Sequence, residues 1–199
     1  MMLIEETPVP NAALPLDAFK AHLRLGTGFG TEALQDEVLE GYLRAAIAAV
    51  EARTGKVLIS RDYSWSEVAW RDAAGAPFPV APVQSITQVD LVARDGTRTE
   101  LPASIYWLER DGIRPRLRPV GAQLPAIPPQ GTAVVQFVAG YGAAWTDLPA
   151  DLRQAVLLLA AHYYEYRDET SLGDGCMPFG VSSLIERYKV VRIGAGGAR

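Results

Sequence analysis

The stretch LPADLRQAVLLLAAHYYEYR, residues 148–167, is apolar almost all the way round at its centre. Residues 155–161, AVLLLAA, offer no polar stripe, so a helix here needs cover on most sides, from its own domain or from neighbouring copies of the chain. Thr146 or Asp147 suits its cap and Pro149 its first turn, which predicts a helix over 147–167. Upstream, Leu16, Phe19 and Leu23 follow helical spacing behind Pro15, predicting a helix over 16–25 that GTGFG ends as a turn. A second long helix over 32–53 aligns Leu39, Leu43, Ile47 and Val50, a stripe widened by Leu34, Val38 and Tyr42, and Thr54-Gly55 closes it.

From Lys56 the period falls to two. Ile59, Tyr63 and Trp65 alternate with Ser60, Asp62, Ser64 and Ser66, the signature of a strand with one polar face. A proline-rich loop at 77–82 follows. Strands at 83–94 and 97–101 flank Asp95-Gly96, a strong hairpin signal, and a second hairpin turns at Asp111-Gly112. Residues 121–131 read as a loop and 133–138 as a final strand. A glycine-rich connector at 170–178 leads to a short helix over 181–188 and a tail at 189–199 that has too little apolar content to order alone. These patterns predict one α+β unit over 1–199. A small helical bundle carries a hairpin-rich β insertion, about 57–138, between the second and third major helices, then a C-terminal helix and an extended tail.

The net charge of −4 gives no overall nucleic-acid footprint, but its distribution is uneven. Residues 1–55 carry eight acids against four bases, whereas 187–199 hold Arg187, Lys189, Arg192 and Arg199 with no acid. A basic end of this kind suits docking on a partner or a solvated terminus. A single cysteine, Cys176, rules out an internal disulfide and makes a reducing compartment the default. The N-terminus lacks the charged and apolar blocks of a signal peptide, and no apolar run approaches the roughly 20 residues that cross a bilayer. The chain is expected to be soluble and intracellular when made.

Reactive chemistry is hard to assemble from what remains. His162 and Glu165 share a helix face, but His22 and Cys176 lie in unrelated segments, short of the three or four ligands zinc takes. Cys176 sits in GDGCMPFG with nothing that must lower its pKa. GTGFG follows a helix and lacks the Gly-Lys-Ser/Thr of a phosphate loop. Arginines 94, 98, 110, 114, 116 and 118 are interleaved with Tyr106 and Trp107, but Asp95, Glu100, Glu109 and Asp111 share the stretch, so a salt-bridged hairpin face is the expectation. No enzyme activity, cofactor or metal is expected.

Six phrases in order carry a resemblance: LPLDAFKAHLRL, YLRAAIAAVEARTGKVL, PVQSITQVDLV with DGT, VVQFVAGYG, LPADLRQAVLLLAAHYYEYR and PFGVSSLIERYK. Together, over residues 14–189, they resemble the head–tail connector (adaptor) proteins of long-tailed bacteriophages and the matching proteins of gene transfer agents. Leu124-Pro125 departs from the pattern, where an aromatic before the proline is expected. The resemblance implies a structural subunit of a homo-oligomeric ring, typically of twelve, under the portal at the capsid vertex. Such a ring extends the DNA channel, which DNA crosses without specific binding, and receives the stopper and tail-side proteins. It has no membrane association, is assembled in the bacterial cytoplasm and becomes part of the particle's neck. Ring contacts are heterologous, and Tyr163, Tyr164 and Tyr166 are of the type enriched at interfaces. They are the expected subunit contact. Arg187, Tyr188, Lys189 and Arg192 are expected to dock on the portal, with the β insertion as the competing docking surface. The acids at the start of the second helix, Glu32, Glu37 and Glu40, face the lumen or a neighbour, or complement the helix dipole. The rivals are a stopper or tail terminator, which should be richer in β-structure, and a small intracellular enzyme of unknown type.

Overall fold

The computed structural model describes residues 1–24, 33–167 and 177–189. In chain order the elements are strand β1 (Met2–Glu5), helices α1 (Leu16–His22) and α2 (Ala33–Thr54), strands β2 (Arg61–Glu67), β3 (Ala76–Pro77), β4 (Val83–Val92), β5 (Arg98–Glu100), β6 (Tyr106–Glu109), β7 (Arg116–Pro119) and β8 (Thr132–Ala139), then helices α3 (Ala150–Glu165) and α4 (Phe179–Ile185). The α+β class and the strands set between the second and third major helices match the sequence reading. Both hairpins form: β4 pairs with β5 around Asp95-Gly96, and β6 with β7 around Asp111-Gly112. Gly55 takes the left-handed φ of 66° at the end of α2, a conformation glycine adopts without a Cβ penalty.

Two hydrophobic clusters divide the interior. In the helical one, the stripe Leu39, Leu43, Ile47 and Val50 of α2 meets Leu152, Val156 and Leu159 of α3 and Val181 and Ile185 of α4, with Phe19 of α1 inserted. The second lies on one face of an antiparallel sheet ordered β1-β2-β8-β4-β5, against a smaller sheet ordered β3-β7-β6. Strand β8 alternates cleanly: Ala133, Val135, Phe137 and Ala139 are buried, and the residues between them are half-buried. Tyr63 stacks on Phe137 at 5.7 Å, and Phe78 leans on Phe137 at 4.9 Å and on Trp65 at 5.4 Å. Each such fully buried side chain contributes about 1.5–3 kcal/mol.

Several expectations need correction. The sheet is not confined to the insertion, because β1, from ahead of all the helices, pairs residue by residue with β2. Its four residues, MLIE, are too few to show a period. The third helix begins at Ala150 with Pro149 as its cap residue and no side-chain cap bond. Asp147 instead ends a separate 3-10 turn, Trp145–Asp147, where its carboxylate accepts the Ala144 N–H at 2.9 Å. Val38 is 52% exposed rather than part of the buried stripe. The apolar centre of α3 needs no sibling to cover it. Leu152, Ala155, Val156, Leu159, Ala160 and Ala161 are buried within the chain, and Leu157 and Leu158 pack at the cluster's margin. Among the described residues no helix is long and apolar enough to cross a membrane.

One charged joint ties the clusters together. The Glu51 carboxylate, on α2, accepts the Leu58 N–H at 2.7 Å and both bonds of a bidentate pair from Arg61 Nη2 at 2.7 Å. Arg61 Nη1 reaches Glu5 of β1 at 3.1 Å. Burial pushes the Glu51 carboxyl above its ordinary range, against the opposing pull of Arg61. Close by, Lys56 is buried and donates through Nζ to the Gly112 carbonyl, which pins the tip of the β6–β7 hairpin to the α2–β2 turn. Glu51→Ala should therefore cost about 3–5 kcal/mol in urea unfolding, because it strands the buried Arg61 guanidinium.

Candidate assembly interface

The residues expected at interfaces fall into two places, and the chain itself already uses most of them. Tyr163 and Tyr164 are half-buried at the margin of the helical cluster. Tyr164 meets Tyr42 of α2 edge-on at 6.1 Å, and the Arg167 guanidinium lies 5.0 Å over its ring. Only Tyr166 of the three is exposed, at 45%, and its ring packs on His162 at 4.6 Å. The aromatic end of α3 thus offers an outer surface of one tyrosine, with two more acting as its support.

The basic end is likewise anchored. Behind α4, a 3-10 turn, Glu186–Tyr188, brings Arg187 and Tyr188 back onto the first turn of α3. Arg187 Nε pairs with Asp151 at 2.7 Å, Tyr188 donates its hydroxyl to the same carboxylate at 2.7 Å, and the Arg187 guanidinium stacks 4.7 Å over the Tyr188 ring. Lys189 pairs with Glu186 one turn back. Arg187 remains largely exposed despite its pairing, so it keeps donors for a partner. Arg192 and Cys176 lie outside the described residues, as does Glu32. Nearby, burial first, then Tyr188 and Asp151, push the Tyr141 phenol up to about 12.

The remaining candidates resolve into structural roles. His162 stands against Tyr163 and Tyr166, and its Nε2 is buried without a hydrogen-bond partner. Glu165 beside it is exposed, and among the described residues no three His, Cys, Asp or Glu side chains are placed to hold a metal ion. Three of the six hairpin arginines form salt bridges, one of them to an acid of the same stretch: Arg118 to Glu109 at 2.5 Å, Arg98 to Asp90 at 3.7 Å and Arg116 to Asp72 at 3.7 Å. Arg110 donates to the Gln84 carbonyl at 3.1 Å. On α2, Asp36 pairs with Lys20 at 2.6 Å, Glu40 accepts from Asn11 at 2.9 Å and Glu37 is exposed.

Two surface features escape a linear reading. One is a groove of about 690 Å³ where the end of α2 meets the proline-rich loop and the β6–β7 hairpin. Arg53, Arg71, Arg114 and Arg116 line it with Phe78 and Ile113, and among the described residues no carboxylate does. These arginines come from three separate segments, so no local charge run announces them. The other is Phe179, 88% exposed at the start of α4, with Trp107, Ile113 and Val120 exposed on the hairpin side.

Two measurements check the geometry at the C-terminal clip. Asp151→Ala removes the acceptor shared by Arg187 and Tyr188, so amide hydrogen exchange over residues 186–189 should speed up while residues 39–50 of α2 stay protected. Between pH 10 and 12 the unfolded chain releases the Tyr141 proton and the folded chain holds it, so stability falls with rising pH over that window. Thermal melts of Tyr141→Phe should show a shallower alkaline decline than the parent protein.

No protein-family model and no curated protein matches the chain. Solved structures do. The chain is 49% identical to a chain from the neck of an empty gene transfer agent (GTA) particle computed with C6 symmetry, covering 100% of both chains with a TM-score of 0.89. In the virion of a native gene transfer agent particle, a chain matches at 49% identity and a TM-score of 0.86, covering 98% of this chain and 99% of that one. A third, from a native GTA neck computed with C12 symmetry, is 46% identical over 100% of both chains, with a TM-score of 0.84. At such identity over the full length, the chain belongs to the neck proteins of gene transfer agent particles, a structural component of a phage-like particle and not an enzyme.

Proposed function

We propose that this chain is the head–tail adaptor subunit. It forms a ring of twelve beneath the portal, extends the DNA channel and receives the stopper and tail-side proteins, having been assembled in the bacterial cytoplasm. The observation that carries this reading is the end-to-end match to a chain from a neck computed with C12 symmetry. Twelve copies in closed rotation need a subunit with two different, mutually complementary faces. The mixture of a helical bundle with a sheet supports an adaptor over a stopper or terminator, for which more β-structure is expected. DNA must slide through such a ring, so its wall should not hold phosphates tightly.

Arg187, Tyr188, Lys189 and Arg192 are the proposed portal contact, and Tyr163, Tyr164 and Tyr166 the proposed subunit contact, with Tyr166 outermost. The clip onto Asp151 supports this assignment, because it holds the start of the basic tail in one place before any partner arrives. A test by truncation must respect the core. Val181 and Ile185 are fully buried, so a cut after Gly180 removes packing as well as the tail. A cut after Lys189 keeps both residues and the clip. That variant should bind purified portal about tenfold more weakly or worse, equivalent to roughly 1.4 kcal/mol. Undiminished binding would remove Arg192 and the rest of the tail from the portal contact, and the same result with Arg187→Ala and Lys189→Ala added would move that contact to the β insertion.

A further inference from the structure

We infer that neighbouring copies of this chain meet through opposite ends of α2: the arginine groove at its C-terminal end on one copy receives the acidic face at its N-terminal end on the next. This rests on the ring reading above and adds to it the surfaces that make the contact.

The groove supplies one half. Arg53, Arg71 and Arg114 are exposed, Arg116 shares the Asp72 carboxylate across 3.7 Å, and no carboxylate lines the wall among the described residues. The apolar floor includes Phe78 and Ile113, the latter 58% exposed. An occupant with carboxylates carried on a helical surface would satisfy both the charge and the shape. Arg53 and Arg71 have no carboxylate against them in the groove wall among the described residues.

The acidic half is on the same helix. A shallow cleft of about 570 Å³ is lined by Asp36, Glu37, Glu40, Gly41, Asn11 and Arg44, three carboxylates against one guanidinium. Glu37 is exposed and makes no hydrogen bond or ion pair among the described residues, and Gly41 leaves open space beside it where a neighbouring side chain can approach. At 1.5 Å per residue, Glu37 and Arg53 stand about 24 Å apart along α2. Two unlike patches at that separation are what a head-to-tail ring contact requires, since each copy must present a different surface to each neighbour. Opposite charge also steers the encounter and penalises the wrong pairing of like ends.

The test is charge exchange in trans, read by counting rings formed by the full chain on purified portal in electron micrographs. One variant carries Arg53→Glu and Arg114→Glu, and the other Glu37→Arg and Glu40→Arg, with circular dichroism confirming that each folds. Each alone should lose ring formation about tenfold or more. Mixed in equal amounts they should regain it to within about threefold of the parent, because every contact in an alternating ring again joins opposite charges. Raising salt should weaken the parent ring over the range that screens exposed charges. Normal assembly by either folded variant alone would overturn the inference, and so would a mixture that fails to recover, since the groove then serves the portal or DNA. If the parent protein itself forms no ring, the adaptor reading falls and this pairing falls with it.

Discussion

The carboxylate of Glu51 governs how the helical half of the molecule meets the β half. It sits one turn before the end of α2, and it satisfies the Leu58 N–H and the Arg61 guanidinium together. The six residues between Glu51 and Leu58 contain the helix end, the left-handed Gly55 and the buried Lys56. They therefore have little freedom to drift. Arg61 passes the constraint on to Glu5, so the edge strand β1 is held by side-chain charge as well as by its ladder. A buried pair of this kind is expensive to desolvate and contributes modestly to net stability. What it fixes is geometry: the direction in which the sheet leaves the helices.

How far the sequence announces this architecture depends on how local each signal is. The α2 stripe, the alternation in β2 and β8 and both Asp-Gly hairpins are periodic or local, and the structure reproduces them. Strand β1 is four residues long and pairs with a partner about sixty residues away, so nothing near it in the chain marks it. Helix α3 starts at Ala150, beyond Asp147, because Asp147, a good cap residue by type, spends its carboxylate on the preceding 3-10 turn. The apolar girth of α3 signals burial correctly, but it cannot say whether the cover comes from α2 and α4 or from another copy. Here it comes from within.

The interface residues follow the same logic. Tyrosines and arginines can be singled out by type, but their partners decide which remain available. Tyr163 and Tyr164 are drawn into the helical cluster, and Arg187 and Tyr188 close on Asp151, some 36 residues upstream of Arg187. The arginine groove gathers side chains from the end of α2, the segment after β2 and the β6–β7 hairpin. Such a convergence exists only in three dimensions. A structural component of a particle neck carries its function in surfaces of this sort, and its sequence motifs are correspondingly silent about chemistry.

Gly140 sets a different kind of limit. It has a φ of 137°, and a Cβ placed there would lie 2.5 Å from the Ser60 main chain. The strand leaving the sheet and the strand entering it touch backbone to backbone, with no side chain as a spacer. The spacing between β2 and β8 at that end of the sheet is therefore fixed by atoms that every amino acid shares. Outer surfaces can be re-dressed for new partners while these two strands keep the same seat.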